Sequence, residues 1–198
     1  MRSVGDEATV WAAVLRNDSD AFVTIFDQHR DRVFRHALRM TVNVHDAEDI
    51  TAGAFFELWR RQKSVRVVDG SVLPWLLVTT TNLARNLTRG LRRYRALIDS
   101  LPRAQSVSSA EDVALEHFEE LRVAAQVKEA LSGLSAADAA LITLTMFEHY
   151  SLAQVAAALG ITDGAARTRV SRARSRMAEV LVASENSENV AAIKETSQ

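Results

Sequence analysis

The sequence predicts an all-α protein made of two small helical domains joined by a flexible linker. Apolar residues recur at spacings of three and four along most of the chain, which is the period of one buried face of an α-helix. The 198 residues include only 7 Gly and 2 Pro, so residues that break helices or build tight turns are scarce. No alternating apolar pattern persists long enough to predict a strand.

The first domain is predicted to span residues 1–101 and to contain four helices. Their predicted ranges are about 6–16, 21–40, 46–62 and 74–91. Helix-start signals support them, because Asp46 is followed by Glu48 and Asp49 in a first turn, and Pro74 suits the first turn of the fourth helix. The third helix is predicted to bury one face, formed by Ile50, Ala54, Phe55, Leu58 and Trp59.

Two histidines, His29 and His36, fall beside the apolar stripe of the second helix. A metal site would need further ligands at suitable spacing, and none are evident. We therefore interpret both as surface or hydrogen-bonded histidines and predict no metal site.

The fourth predicted helix carries a polar and basic side. Its members stand at spacings of three and four, so they share one face, and they are Asn82, Arg85, Asn86 and Arg89. An open polar loop at 62–73, marked by Asp69-Gly70, precedes the helix. This arrangement suits contact with a nucleic-acid strand, and the alternative is an ordinary solvated face.

Three further segments follow the first domain. Residues 102–120 are predicted to form a linker, because their first half is polar and poorly periodic and their second half is acidic with weak periodicity. Residues 121–182 form the predicted second domain, with helices at about 121–131 and 135–147 before a final pair. The polar tail, residues 183–198, is predicted to be disordered.

The final pair, Leu152 to Met177, has the layout of a helix-turn-helix. An apolar stripe marks a short first helix, and Gly160 stands where a chain leaving a helix often needs a left-handed residue. Thr162 and Asp163 are both good N-caps for the second helix. That helix repeats small and apolar residues at spacings of three and four, so one face is buried.

The remaining faces of this second helix are strongly basic. Arginine suits both phosphates and the guanine edge in the major groove of DNA. The pattern favours a recognition helix that enters duplex DNA over a solvated amphipathic helix with a basic face. The predicted DNA-binding residues here are Thr162, Arg167, Thr168, Arg169, Arg172 and Arg174.

Composition narrows the class of protein further. The formal net charge is −1, so total charge predicts no general affinity for nucleic acid. The absence of Cys excludes disulfides and Cys-ligated zinc. No apolar run approaches a membrane span and the N-terminus lacks a signal-peptide core, so a cytoplasmic protein is expected. No nucleophile–base set, phosphate loop or cofactor motif is evident, so neither catalysis nor a cofactor is predicted.

Three stretches together resemble the sigma-70 family of bacterial RNA polymerase initiation factors, most of all its small extracytoplasmic-function (ECF) type. They are DAEDI…AFFELW at 46–59, PWLLVTTTNLARN at 74–86 and LSGLSAADAALITLTMFEHYSLAQVAAALGITDGAARTRVSRAR at 131–174. Each is loose alone, but their order and spacing are specific. The resemblance implies that the two domains are sigma region 2 and sigma region 4.

The resemblance also implies partners and roles. The third helix would dock on the clamp helices of the polymerase's largest subunit, and the implied contact residues are Asp46, Glu48, Asp49, Ala52, Gly53 and Phe56. Region 4 would contact the flap of the second-largest subunit and read the −35 promoter element. The 62–73 loop and the Asn82–Arg89 face would hold the opened −10 element. Many relatives are held inactive by an anti-sigma factor, so such a partner is also expected.

The chain departs from the family pattern in three places. Ala52-Gly53 replaces a common Gln-Glu pair, which removes two polar groups from the implied docking surface. Gln154 stands where a Glu is usual, and Ala166 stands where a larger aliphatic residue is usual. The alternative hypothesis is a helix-turn-helix regulator that binds duplex DNA unaided, and the 46–59 and 74–86 stretches argue against it.

Overall fold

A computed structural model of the chain describes residues 4–41, 43–99, 126–127 and 129–195, and the predicted linker at 102–120 lies outside them. Helices form almost all of this part, and its β-type pairing is an isolated bridge between Val68 and Ser71. The all-α prediction is confirmed. The helices with described bounds are α1 (Val4–Val14), α2 (Ser19–Thr41), α3 (Val44–Arg60), α4 (Leu73–Asp99), α5 (Ala136–Met146), α6 (Leu152–Leu159) and α7 (Asp163–Glu195), with a 3-10 turn at Gln62–Ser64. Residues 126–127 and 129–132 are also helical.

Side-chain caps explain where several helices begin. The Asp18 carboxylate accepts from the backbone N–H groups of Asp20 and Ala21, both at 3.0 Å. Asn43 accepts from the N–H of Asp46, so α3 begins two residues before its predicted start. Ser135 accepts from the N–H of Asp138 and starts α5. Each cap satisfies a backbone donor that the helix itself leaves without a partner.

The first four helices bury an apolar and aromatic interior. Ile25, Val33, Leu58 and Leu76 are each fully buried within it. The rings of Phe26 and Phe55 meet edge to face, with their centroids 4.7 Å apart. The prediction that Trp59 is buried is wrong, since it keeps 36 % of its surface exposed while its ring contacts Phe22.

The second half of the chain packs directly on the first. Helix α4 contacts both α5 and α6, and one apolar cluster contains Leu76 and Leu77 of α4 together with Leu141, Leu144 and Val155. The two predicted domains therefore share a hydrophobic core in this arrangement.

The predicted disordered tail at 183–198 is a second point of difference. Helix α7 continues through residues 183–195 as far as Glu195. Several residues of this stretch, among them Ala, Glu and Lys, have high helix propensity, so the helix can continue past the buried face. The polarity of the segment was a poor guide, because a solvated helix needs no apolar stripe.

Two buried carboxylates join segments that are distant in the sequence. Glu7 of α1 accepts from His29 at 3.0 Å, from Gln28 at 3.0 Å and from the N–H of Val72 at 2.8 Å. Glu148, which follows α5, lies against three side chains of α2, namely Arg32, His36 and Arg39. Both histidines are buried and hydrogen-bonded, and no group of three or more potential metal ligands occurs among the described residues.

His36 stays uncharged in this environment. Its Nδ1 lies 3.0 Å from a Glu148 oxygen and its Nε2 lies 2.9 Å from the Thr81 hydroxyl. Burial, and then the positive charges of Arg39 and Arg32, lower its pKa from 6.5 to about 3. The two arginines already balance the Glu148 carboxylate, so a further proton on the imidazole would be an unbalanced buried charge.

The free energy of unfolding should therefore fall as the pH drops from about 6.5 towards 5. The unfolded chain binds a proton at His36 in this range and the folded chain does not, so up to about 1.4 kcal/mol is lost per pH unit. The pKa of Glu7 is also lowered, but the stability from that shift is lost only as the pH falls below about 4.5, which is outside the tested range of pH 6.5 to 5. Urea titrations at several pH values would measure the slope.

His36→Asn should flatten this slope, because Asn does not titrate. His45→Asn is the matched control, since the His45 side chain is 93 % exposed, and it should keep the wild-type slope. A wild-type stability that does not change between pH 6.5 and 5 would contradict a neutral buried His36.

Candidate nucleic-acid interface

Helices α6 and α7 form the predicted helix-turn-helix. Ser151 and Gln154 make a reciprocal capping box at the start of α6, which satisfies two backbone donors at once. Gly160 ends α6 in the left-handed region, with φ at +68°, as its position in the sequence predicts. Ala156 and Ala166 are fully buried, so α6 and α7 approach closely at two small side chains.

The buried face of α7 points its basic residues outwards. Ala166 and Ala173 are buried and Val170 is half-buried. The Thr162 hydroxyl accepts from the N–H of Ala165 at 3.2 Å and acts as the cap. The exposed residues between 162 and 176 include Thr162, Arg167, Thr168, Arg172, Arg174 and Arg176.

Arg169 differs from its neighbours on α7. Its Nη1 lies 3.3 Å from the Asp138 carboxylate, and its side chain is 43 % exposed. Asp138 sits in the first turn of α5, so this contact braces α7 against α5. A base contact by Arg169 would compete with that brace, whereas Arg167 has no such partner among the contacts of the described residues.

A cleft of about 550 Å³ lies beside this surface. Arg167 and Arg174 of α7 line it together with Tyr150 and Leu152. Tyr150 also stacks under the Arg32 guanidinium, whose carbon is 5.7 Å from the ring centroid. The lining of the cleft thus combines apolar surface with the guanidinium groups of Arg167 and Arg174.

The predicted polar face of α4 is only partly open in this arrangement. Asn86 and Arg89 are exposed, and Asn82 is half-buried. Arg85 is 6 % exposed, because its guanidinium donates to the backbone oxygens of Leu134 and Ser132 at the start of the second half. The four residues therefore lie on one side of the helix, as predicted, but they differ in solvent exposure.

Two polar atoms of this face lack a protein partner among the described residues. They are the Oδ1 of Asn82 and the Nε of Arg85, both buried. Buried polar atoms are nearly always hydrogen-bonded, so exceptions suggest a role beyond packing. Sequence reasoning could place these residues on a face, but it could not tell that the second half covers Arg85.

The loop between α3 and α4 contacts the helix-turn-helix, which the sequence did not reveal. Asp69 and Gly70 have positive φ values of 49° and 77° and turn the chain between the paired residues Val68 and Ser71. The Asp69 carboxylate accepts from the Gln154 side-chain amide at 2.6 Å. The Asp-Gly pair could be recognised in the sequence as a turn signal. Its contact with Gln154, 85 positions away, could not be predicted from the sequence.

The outer flank of α3 carries the residues predicted to contact polymerase. Glu48, Asp49, Ala52 and Phe56 are exposed, and Phe56 exposes 63 % of its surface. Asp46 and Gly53 are half-buried. An ideal Cβ at Gly53 would lie 3.3 Å from the Leu83 side chain, so a larger residue there would press on α4.

Family models match both halves of the chain. The model of sigma-70 region 2 matches residues 25–94, and the model of sigma-70 region 4 matches residues 124–177. The first range covers most of α2, all of α3 and most of α4 with its whole polar face, and the second covers the helix-turn-helix. These matches define a two-region transcription initiation factor.

Individual relatives agree with the family models. The chain is 34 % identical over 155 residues to the ECF RNA polymerase sigma factor SigE of Mycolicibacterium smegmatis, covering 78 % of this chain and 59 % of that protein. It is 30 % identical to the RNA polymerase sigma factor CarQ of Myxococcus xanthus, covering 82 % and 90 %. The chain therefore belongs to the sigma-70 family of RNA polymerase sigma factors, and within it to the ECF group.

A solved structure shares the fold. The structure of CnrH in complex with the cytosolic domain of CnrY matches with a TM-score of 0.56 at 20 % identity, covering 89 % of this chain and 97 % of that one. None of the described helices has the length and hydropathy needed to cross a membrane.

The arginines of α7 should divide into two classes when each is changed to Ala. One of Arg167 and Arg169, which lie in the N-terminal half, should contact a base edge, so its change to Ala should lower affinity for the −35 element by about 1–3 kcal/mol and relax specificity at one position. Arg172→Ala and Arg174→Ala should weaken all sequences alike and reduce the salt slope by about one. Arg30→Ala, exposed on α2, is the control.

Binding should be measured with holoenzyme on −35 duplex and on randomised duplex at several salt concentrations. Equal losses on both duplexes in every variant would mean that α7 supplies charge only.

Proposed function

We propose that this chain binds core RNA polymerase through α3, opens the −10 element with α4 and the preceding loop, and reads the −35 element with α7. The observation that carries the proposal is that the basic side of a complete helix-turn-helix is exposed. The part of the chain that matches sigma-70 region 2 carries a second polar face, on α4. The partners are core polymerase and promoter DNA, as for a sigma factor.

Polymerase docking is assigned to the exposed flank of α3. Asp49, Ala52 and Phe56 lie on it, and the opposite face is fixed in the core by Ile50, Ala54 and Leu58. An exposed aromatic ring beside acidic groups suits a partner surface that is apolar and basic. The implied partner surface is the clamp of the largest polymerase subunit, with the flap of the second-largest subunit holding region 4.

We assign strand opening to the loop between α3 and α4 and to the Asn82–Arg89 face of α4. Amide and guanidinium groups can hydrogen-bond the edges of unpaired bases, and the unpartnered atoms of Asn82 and Arg85 offer such contacts once they are uncovered. An extruded base costs a few kcal/mol of unstacking, which these contacts would offset.

Other parts of the proposal concern the protein's setting. The chain itself would catalyse no reaction, since RNA synthesis belongs to the polymerase, and as a polymerase subunit it would act in the cytoplasm. CnrH is seen with a cytosolic protein domain, which supports an anti-sigma factor as a further partner here. A regulator that binds duplex DNA unaided would not use the exposed flank of α3. Binding to core polymerase therefore distinguishes a sigma factor from such a regulator.

Asp49→Arg should weaken the complex with core polymerase about 10-fold or more, because it reverses an exposed charge in the docking flank. Comigration with purified core, followed by a titration, would measure the effect. Asp31→Arg is the matched control, because Asp31 is an α2 carboxylate with 79 % of its side chain exposed. Wild-type core affinity in Asp49→Arg would contradict the docking assignment.

Asn82→Ala should slow promoter opening while leaving −35 duplex binding intact. A lost contact to an unpaired base is worth roughly 1–3 kcal/mol. Asn82 is a cleaner test than Arg85, whose guanidinium also contacts the second half of the chain. Permanganate reactivity of the −10 thymines in the holoenzyme complex would report opening, and undiminished reactivity would assign Asn82 to structure.

A further inference from the structure

The loop that the proposed function assigns to the −10 element is covered by the helix-turn-helix at two points. The Asp69 carboxylate accepts from the Gln154 amide at 2.6 Å. The Arg66 guanidinium lies so close to Gly160 that even a Cβ at that position would collide with it. The promoter-reading parts of regions 2 and 4 are therefore in contact with each other.

A chain in this closed arrangement cannot serve both promoter elements. The −10 and −35 elements lie about 25 base pairs apart, which at about 3.4 Å per base pair is about 85 Å. In the closed arrangement the two regions are joined by the 2.6 Å hydrogen bond between Asp69 and Gln154, far less than this separation. The two regions must separate before both elements can be bound, so every contact between them opposes initiation.

Gln154 suits this contact better than the Glu that is usual in the family. Its side-chain oxygen accepts from the N–H of Ser151 at 2.8 Å and completes the capping box. Its amide nitrogen remains free to donate to Asp69. A Glu would keep the cap but would place a second carboxylate against that of Asp69.

Asp69 is held in place for this contact by its own turn. Asp69 and Gly70 both have positive φ, the conformation that Asp-Gly and Asn-Gly pairs adopt in tight hairpin turns. The carboxylate is therefore presented by a short, fixed turn between Val68 and Ser71, which also donate to each other's backbone oxygens at 3.0 Å.

We propose that the Asp69–Gln154 hydrogen bond is an autoinhibitory latch, which keeps region 4 on the −10 loop until polymerase separates the two regions. Its inhibitory consequence rests on the proposed function, whereas the latch itself can be tested on the free chain. Gln154→Glu breaks the latch by like-charge repulsion while preserving the cap of α6.

The free-chain test uses a single thiol, because the native sequence has no Cys. Thr143→Cys places it where Thr143, 1 % exposed, meets Thr81 of α4 across the contact, with 3.5 Å between the hydroxyls. The rate of labelling by a maleimide then follows the population of separated chains. Ala84→Cys, in the same apolar cluster as Leu134, is a second reporter if the first fails to fold.

Gln154→Glu should raise the labelling rate about 5-fold at either reporter, the effect expected from a lost hydrogen bond and a repulsion at an exposed site. Asp69→Asn alone should change the rate less than about 2-fold, since Asn suits the turn and still pairs with Gln. The double variant Asp69→Asn with Gln154→Glu should return to the wild-type rate, because the Asn amide donates to the Glu. An unchanged rate in Gln154→Glu, or a double variant as fast as the single one, would overturn the latch.

Core affinity tests the inhibition and is preferred to transcription, because the loop itself is assigned to the −10 element. Gln154→Glu should bind core about 5-fold more tightly than the wild type, and the double variant should not, because apparent affinity follows the fraction of open chains. Equal core affinities alongside the expected labelling pattern would overturn the inhibitory role. If the wild-type chain does not bind core at all, the proposed function fails, while the labelling rates still decide the latch.

Discussion

The buried carboxylate of Glu148 holds the two halves of this chain in register. It lies at 3 % side-chain exposure among Arg32, His36 and Arg39 of α2. A carboxylate removed from water is costly unless it is both paired and hydrogen-bonded. Only one placement of the second half on the first provides all three partners, so the polar cluster selects the orientation that the apolar core alone would leave less defined.

A similar device fixes the other end of the first half. Glu7 ties α1 to α2 through His29 and to the start of α4 through the Val72 N–H. The 65–72 loop is thereby anchored at one end, while the tight turn at Asp69-Gly70 projects towards α6. The geometry of the loop between α3 and α4 thus depends on a carboxylate near the N-terminus.

These anchors leave the two candidate DNA surfaces in different states. The arginines at the start of α7 face outwards, since Ala166 and Ala173 hold the opposite side in the core. The α4 face is partly closed, since Arg85 donates to backbone oxygens of the second half. The candidate surface on α7 is therefore open, whereas the candidate surface on α4 is partly covered by the second half of the chain.

The sequence by itself determined the helices, the turn and the family. Helical periodicity, the caps at Ser135 and Ser151 and the left-handed Gly160 are local signals, and each acts within a few residues of itself. The exposed side of α7 could also be predicted from local spacing, because the residues opposite a buried helix face point towards solvent.

Only the tertiary structure decided which polar groups are buried and what they meet. Glu148 stands 112 positions from His36, and Gln154 stands 85 positions from Asp69, so no local pattern could pair them. The same holds for Arg85. Its position on a polar helix side indicated exposure, but the segment before α5 packs against it and buries it. Burial is a property of the whole packed chain, and helix spacing reports only which residues share a side.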